Sequence, residues 1–165
     1  MAQAIEATIE NFIEEMFFES LTTTSGSSDE IRVKRIKVEL YVERTVSMYS
    51  DIQFKEHFRL TRVVANCVIT SLGHSGVIPR HTFGPEKINE EKAALLTIWF
   101  LANKETFRQI SDRFDVSLSS SHRVLKRVLK FFLNVKNCFI KWPDAERSEQ
   151  ISEVFQRKYN IRGIV

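Results

Sequence analysis

Hydrophobic residues recur along most of this chain at spacings of three and four, the period of an α-helix whose one side is buried. From Ala2 to Leu21, Ile5, Ile9, Phe12, Ile13, Met16 and Phe17 fall on one side and glutamates on the other, which predicts an amphipathic helix. The polar run TTTSGSS, Thr22 to Ser28, follows as a flexible linker. Ile31 to Val46 fits two periods. Ile36, Val38, Leu40 and Val42 alternate as in a strand, whereas Val33, Ile36 and Leu40 fit a helix, and the balance favours helix from about Glu39 onward. Ser50 and Asp51 cap a short element holding Phe54 and Phe58, and Thr61 caps one holding Val64, Cys67, Val68 and Leu72. Gly73, Gly76, Pro79, Gly84 and Pro85 mark a loop. Asn89 then caps a helix in which Ala93 to Leu101 is apolar almost all round, so that it belongs in the middle of the fold.

The segment FRQISDRFDVSLSSSHRVLKR, Phe107 to Arg127, reads as two short helices joined by a tight turn. Phe107, Ile110, Ser111 and Phe114 repeat at helical spacing, and Ser111 is small enough for a second helix to cross closely. Asp115 breaks the pattern, and Ser117 or Ser119 caps the next helix, Leu118 to Val135, whose buried side would carry Val124, Leu125, Val128, Phe132 and Val135. Ser119, His122, Arg123, Lys126, Arg127, Lys130, Asn134 and Asn137 form its polar, basic stripe. The arrangement is similar to a DNA-binding helix-turn-helix, with two departures. Asp115 stands where such motifs usually place Gly, although Asp tolerates the left-handed conformation. Ser121 stands where they usually bury an aliphatic side chain, although its hydroxyl can bond back to the carbonyl one turn earlier. A helical hairpin with one solvated face is also ordinary bundle architecture. Further on, FIKWP, Phe139 to Pro143, is extended. Asp144 caps a helix carrying Ile151, Val154, Phe155 and Tyr159, against which Trp142 would bury, and Asn160 ends it. RGIV, Arg162 to Val165, opens a strand without a partner. The expected fold is all-α. A helical domain at 31–143, with its helix-turn-helix at 105–135, lies between an acidic arm and linker at 1–30 and a C-terminal helix and strand start at 144–165.

At 165 residues, 43% hydrophobic, the chain can bury a core without disulfides, and Cys67 and Cys138 read as reduced structural thiols. The apolar run Ala93 to Ala102 is about half the length of a membrane span and the N-terminus is acidic, which predicts a soluble chain with no membrane partner. The net charge of +3 conceals an asymmetry. Residues 1–30 hold seven acidic side chains and no Lys or Arg, whereas residues 104–141 hold nine basic against three acidic ones. The basic hairpin would attract a polyanion, and the acidic arm would be repelled from that polyanion or could fold over the hairpin.

Chemistry of its own is hard to find. His57, His74, His81 and His122 show neither HxxxH nor HExxH spacing, GHSG at Gly73 to Gly76 lacks a following Lys-Ser or Lys-Thr, and no serine has a Gly-x-Ser-x-Gly setting. The pairs Glu14, Glu15 and Glu90, Glu91 suit helix starts and solvated faces. The expectation is no enzyme and no cofactor.

Together, YVERTVSMYSDIQFKEHFRLTR (Tyr41 to Arg62), EEKAALLTIWFLANKETFRQISDRFDVSLSSSHRVLKRVL (Glu90 to Leu129), FIKWP and RGIV resemble the region preceding the catalytic domain in PIF/Harbinger-class transposases and the nuclease-like proteins domesticated from them. The resemblance covers most of residues 41–165. In that family a strand similar to RGIV runs into the first carboxylate of a DDE site, which holds divalent metals for phosphoryl displacement. The resemblance therefore implies a nuclear, alternatively also cytoplasmic, DNA-associated protein whose cleavage carboxylates and metal would lie beyond Val165. It leaves open a truncated product, a decayed copy or an incomplete gene model of a DDE nuclease. Two functions follow. In one, the Leu118 to Val135 helix enters the major groove of double-stranded DNA, with Lys104, Arg108 and Lys130 on phosphates, Ser119, His122, Arg123 and Lys126 on base edges, and Arg127 within the same surface. In the other, the helical region docks a Myb-like DNA-binding partner or a second copy of the chain.

Overall fold

The computed structural model describes residues 36–79, 88–141 and 143–160, together with Ala7, Asn11, Glu14 and Glu15, which are helical and exposed. The described residues are helical with no strand, so the fold is all-α. The apolar face of the N-terminal arm, the Thr22 to Ser28 linker, Gly84 and Pro85, the burial of Trp142 and the RGIV strand lie outside them.

Local chemistry explains where the helices begin and end. Leu40, at φ 53°, leads into a π-helical turn at Tyr41–Thr45 and a 3-10 turn at Val46–Met48, consistent with helix rather than strand in this region. Helix α1 (Asp51–Phe58) opens on a capping box in which Ser50 Oγ accepts from Gln53 N and Gln53 Oε1 accepts from Ser50 N, and Arg59 in the left-handed conformation closes it. Thr61 caps α2 (Arg62–Ser75), and Gly76 at φ 65°, where L side chains are strained, ends it. Asn89 caps α3 (Glu90–Ala102), with Glu90 and Glu91 at its positive end. Thr106 and Gln109 form a second capping box at the start of α4 (Phe107–Arg113). Then follow α5 (Leu118–Phe139) and α6 (Ala145–Tyr159), the latter capped by Asp144 and closed by Asn160 at φ 54°.

The chain divides into two compact units, residues 1–133 and 134–165. In the first, α3 is the central element, with Lys92 through Trp99 all buried. Its Leu95 and Leu96 are almost fully buried, as are Phe54, Phe58, Leu72, Ile110, Phe114, Leu125 and Val128 on other elements. Aromatic edges lock the centre: the ring of Trp99 meets Tyr41 at 6.0 Å, Phe58 at 5.3 Å and Phe114 at 6.3 Å, each near-perpendicular. Burial of such a side chain stabilises the fold by roughly 1.5–3 kcal/mol. Trp99 Nε1 is buried with no hydrogen-bond acceptor among the described residues.

Several inward faces differ from expectation. On α2 the buried residues are Ala65 and Leu72, while Val64 and Cys67 are exposed. Apolar residues at Val63, Val64, Val68 and Ile69 fit two helical faces equally, and packing along α3 selects the one bearing small Ala65. On α5 the inward row is Ser121, Val124, Leu125, Val128 and Phe131, so Phe131 replaces Phe132, which is half-buried like Val135. That helix continues past Val135 to Phe139, with the Ile140 amide still donating to the Lys136 carbonyl at 2.7 Å, and Phe139 and Ile140 are exposed. Cys138 is an exposed free thiol as well. In the second unit, α6 carries no buried residue, and Ile151, Val154, Phe155 and Tyr159 are all exposed.

Candidate nucleic-acid interface

The hairpin of α4 and α5 is fixed from the inside by two serines. Ser111 and Ser121, 2% and 0% exposed, place their hydroxyl oxygens 2.8 Å apart. Ser111 Oγ also lies 2.6 Å from the Phe107 carbonyl, and Ser121 Oγ 2.8 Å from that of Leu118. With Ser111 donating to Phe107, Ser121 donates either to Ser111 or back along its own helix, so no buried hydroxyl is unpaired. A position where an aliphatic side chain is usual is therefore a buried polar contact between the two helices.

The turn is equally specific. Asp115 adopts φ 49°, the left-handed conformation for which Gly is usual, and its carboxylate pairs with Lys37 at 3.3 Å. The Val116 amide returns to the Ser111 carbonyl at 3.0 Å, and the Val116 side chain is buried. Ser117, rather than Ser119, caps α5: its hydroxyl accepts from the Ser120 amide at 3.1 Å and its carbonyl from Ser121 at 2.9 Å. Val38 straps the end of α4 through a 2.8 Å bond from its amide to the Asp112 carbonyl.

With the inner face engaged, the outer face of α5 is presented to solvent. Ser119, Arg123, Arg127 and Lys130 are exposed, and His122 and Lys126 are half-buried among them. From Ser119 to Lys130 this surface runs about 17 Å at the α-helical rise. His122 turns its ring to Phe107, with centroids 5.6 Å apart, which sets the first turn of α4 beside the stripe. Arg123 Nε donates to the Ser119 carbonyl at 3.2 Å, and Lys126 Nζ lies 3.6 Å from Glu14 Oε1. Lys104 stands exposed ahead of α4, and Arg108 is exposed in its first turn. In the second unit, Asn134 and Asn137 are exposed.

Arg113 is basic in the sequence count but takes a different part. Its guanidinium donates to Glu105 at 2.9 Å and lies 4.5 Å over the Trp99 ring and 5.5 Å from that of Tyr41. Burial alone pulls its pKa down, and the bonds to Glu105 and Tyr41 outweigh that, leaving it raised. Tyr41, buried and sharing a 2.9 Å bond with the Tyr49 hydroxyl, has its phenol pKa pushed well up, first by burial and then by that bond. Arg113 draws its partners from three separated stretches of chain, a convergence that local pattern does not reveal.

Among the described residues no group of three His, Cys, Asp or Glu side chains is placed to hold a metal ion, and no helix is long and apolar enough to cross a membrane. The geometry defines an all-α protein in which two helices, α4 and α5, are joined by a tight turn and the second has a basic outer face. No protein-family model, curated protein or solved structure matches the chain.

Proposed function

We propose that this chain is a DNA-binding helix-turn-helix module of the PIF/Harbinger transposase-derived type, working in the nucleus, with α5 laid in the major groove of duplex DNA. The observation that carries the reading is the division of α5 into two faces. Ser121, Val124, Leu125 and Val128 are buried, while Arg123, Arg127 and Lys130 are exposed on the side that a groove would meet. On this reading Lys104, Arg108 and Lys130 contact phosphates, and Ser119, His122, Arg123 and Lys126 face base edges. Any cleavage chemistry would belong to carboxylates of a DDE domain outside these residues.

The test is titration of duplex DNA by fluorescence anisotropy across a salt series. Wild-type protein should bind at low ionic strength and weaken steeply as salt rises. Lys130→Ala should lower the magnitude of the salt slope by about one, the signature of a lost phosphate contact. Arg123→Ala should cost about 1–3 kcal/mol and relax preference at one base position. Absence of binding at low salt, or binding indifferent to both substitutions, overturns the reading.

A second reading, docking of a Myb-like protein or of another copy of the chain, is favoured by the exposed apolar row Ile151, Val154, Phe155 and Tyr159 on α6. Association through that row would be far less sensitive to salt than DNA binding.

A further inference from the structure

We propose that the acidic N-terminal arm is a built-in competitor for the basic face of α5, with Glu14 latched onto Lys126. This inference rests on the DNA-binding reading of that face. Glu14 Oε1 lies 3.6 Å from Lys126 Nζ, in the middle of the stripe that runs from Ser119 to Lys130. Ala7, Asn11 and the pair Glu14 and Glu15, in steps of three or four residues, are helical and exposed. The charge of the arm is one-sided: residues 1–30 carry Glu6, Glu10, Glu14, Glu15, Glu19, Asp29 and Glu30 and no Lys or Arg. A carboxylate on Lys126 occupies the position that a phosphate or base-edge oxygen would take, and a negative charge there repels an approaching polyanion.

The strength of the contact decides what kind of device this is. The side chains of Lys126 and Glu14 are 43% and 70% exposed, and ion pairs so open to water are weak. The arm is therefore a latch that DNA can displace, lowering affinity without abolishing binding. Its effect must also fade as salt shortens the reach of the carboxylates.

The experiment uses the full chain and duplex DNA. Glu14→Gln keeps the shape of the side chain and removes its charge, and at low salt it should tighten binding about two- to fivefold, the range expected of an exposed ion pair. Adding Glu15→Gln should extend the gain, and both gains should shrink as salt is raised. In a Lys126→Ala background most of the Glu14→Gln gain should disappear, because the partner it releases is gone. A wild type that binds DNA with an affinity unchanged by Glu14→Gln overturns the latch and leaves the DNA reading intact, as does a gain that survives undiminished in Lys126→Ala. Failure of wild type and every variant to bind DNA overturns the DNA reading instead, and the latch with it.

Discussion

Helix α3 keeps every side chain from Lys92 to Trp99 buried, whereas α6, fifteen residues long to the thirteen of α3, buries none. Both begin on a side-chain cap, Asn89 and Asp144, and both carry acidic residues in the first turn. The difference is in what surrounds them. Around α3, the rings of Tyr41, Phe58 and Phe114 converge on Trp99, and α2 packs alongside. On α6 the ring of Phe155 meets that of Tyr159, on the same helix, at 5.7 Å. A cap and a periodic apolar row are enough to specify a helix. Burial requires a partner surface, and that lies elsewhere in the sequence or in another molecule.

The contrast can be broken most severely at its packed end. Phe114 is 0% exposed and closes the turn after α4 against Tyr41 and Trp99. Phe114→Ala should destabilise the protein by about 3–5 kcal/mol, through lost burial and the cavity left behind. Urea denaturation checks this as a lower midpoint. A loss under about 1 kcal/mol would mean that the centre repacks freely and that α3 is no better anchored than α6.

Next in size is the serine pair. If the crossing of α4 and α5 is as close as the 2.8 Å separation of Ser111 and Ser121 implies, Ser121→Leu overpacks it and should cost about 1–3 kcal/mol. Ser121→Ala removes a hydroxyl without adding bulk and should cost about 1 kcal/mol. The ranking is the measurement. A Leu variant more stable than wild type would show that an aliphatic side chain fits between these helices after all.

Those two sites also show what the sequence could and could not disclose. Capping is a local matter of one side chain and an amide three residues on, so Ser50, Thr61, Asn89 and Asp144 were legible as helix starts. The left-handed turn at Asp115 and the solvent-facing stripe of α5 were legible for the same reason. The inward face of α2 was not, since its apolar residues fit two faces and only contact with α3 selects one. Nor was the end of α5, where the expectation of an extended FIKWP stopped the helix four residues short of Phe139. The cluster of Arg113 with Glu105, Trp99 and Tyr41, and the pairing of Glu14 with Lys126, join residues that only tertiary structure brings together.

A smaller effect, with a pH signature, sits at the edge of the aromatic centre. Tyr41→Phe loses the hydroxyl bond to Tyr49 and should cost about 0.5–1.5 kcal/mol near neutral pH. Because folding raises the Tyr41 phenol above its usual value near 10, the folded state holds this proton while the unfolded chain releases it. Stability from this group is complete below about pH 10 and falls as pH climbs beyond it, by at most about 1.4 kcal/mol per pH unit. Alkaline unfolding curves should therefore be flatter for Tyr41→Phe than for wild type. Parallel curves would place the buried phenol in contact with water.

The smallest expected effect tests the other end of the contrast. Phe155→Ala removes a large apolar side chain, yet one that is 36% exposed and whose ring partner is Tyr159, one turn along the same helix. Pairs of that kind on an exposed helix contribute about 0.2–0.5 kcal/mol. The urea midpoint of the protein should therefore barely move, and the change should be confined to faster amide exchange within Ala145–Tyr159. Wild-type amides there should already exchange faster than those of α3, because α6 holds no fully buried side chain. A cost above about 1 kcal/mol would show the row Ile151, Val154, Phe155 and Tyr159 to be covered in solution, and if that cost grew with protein concentration the cover would be a second copy of the chain.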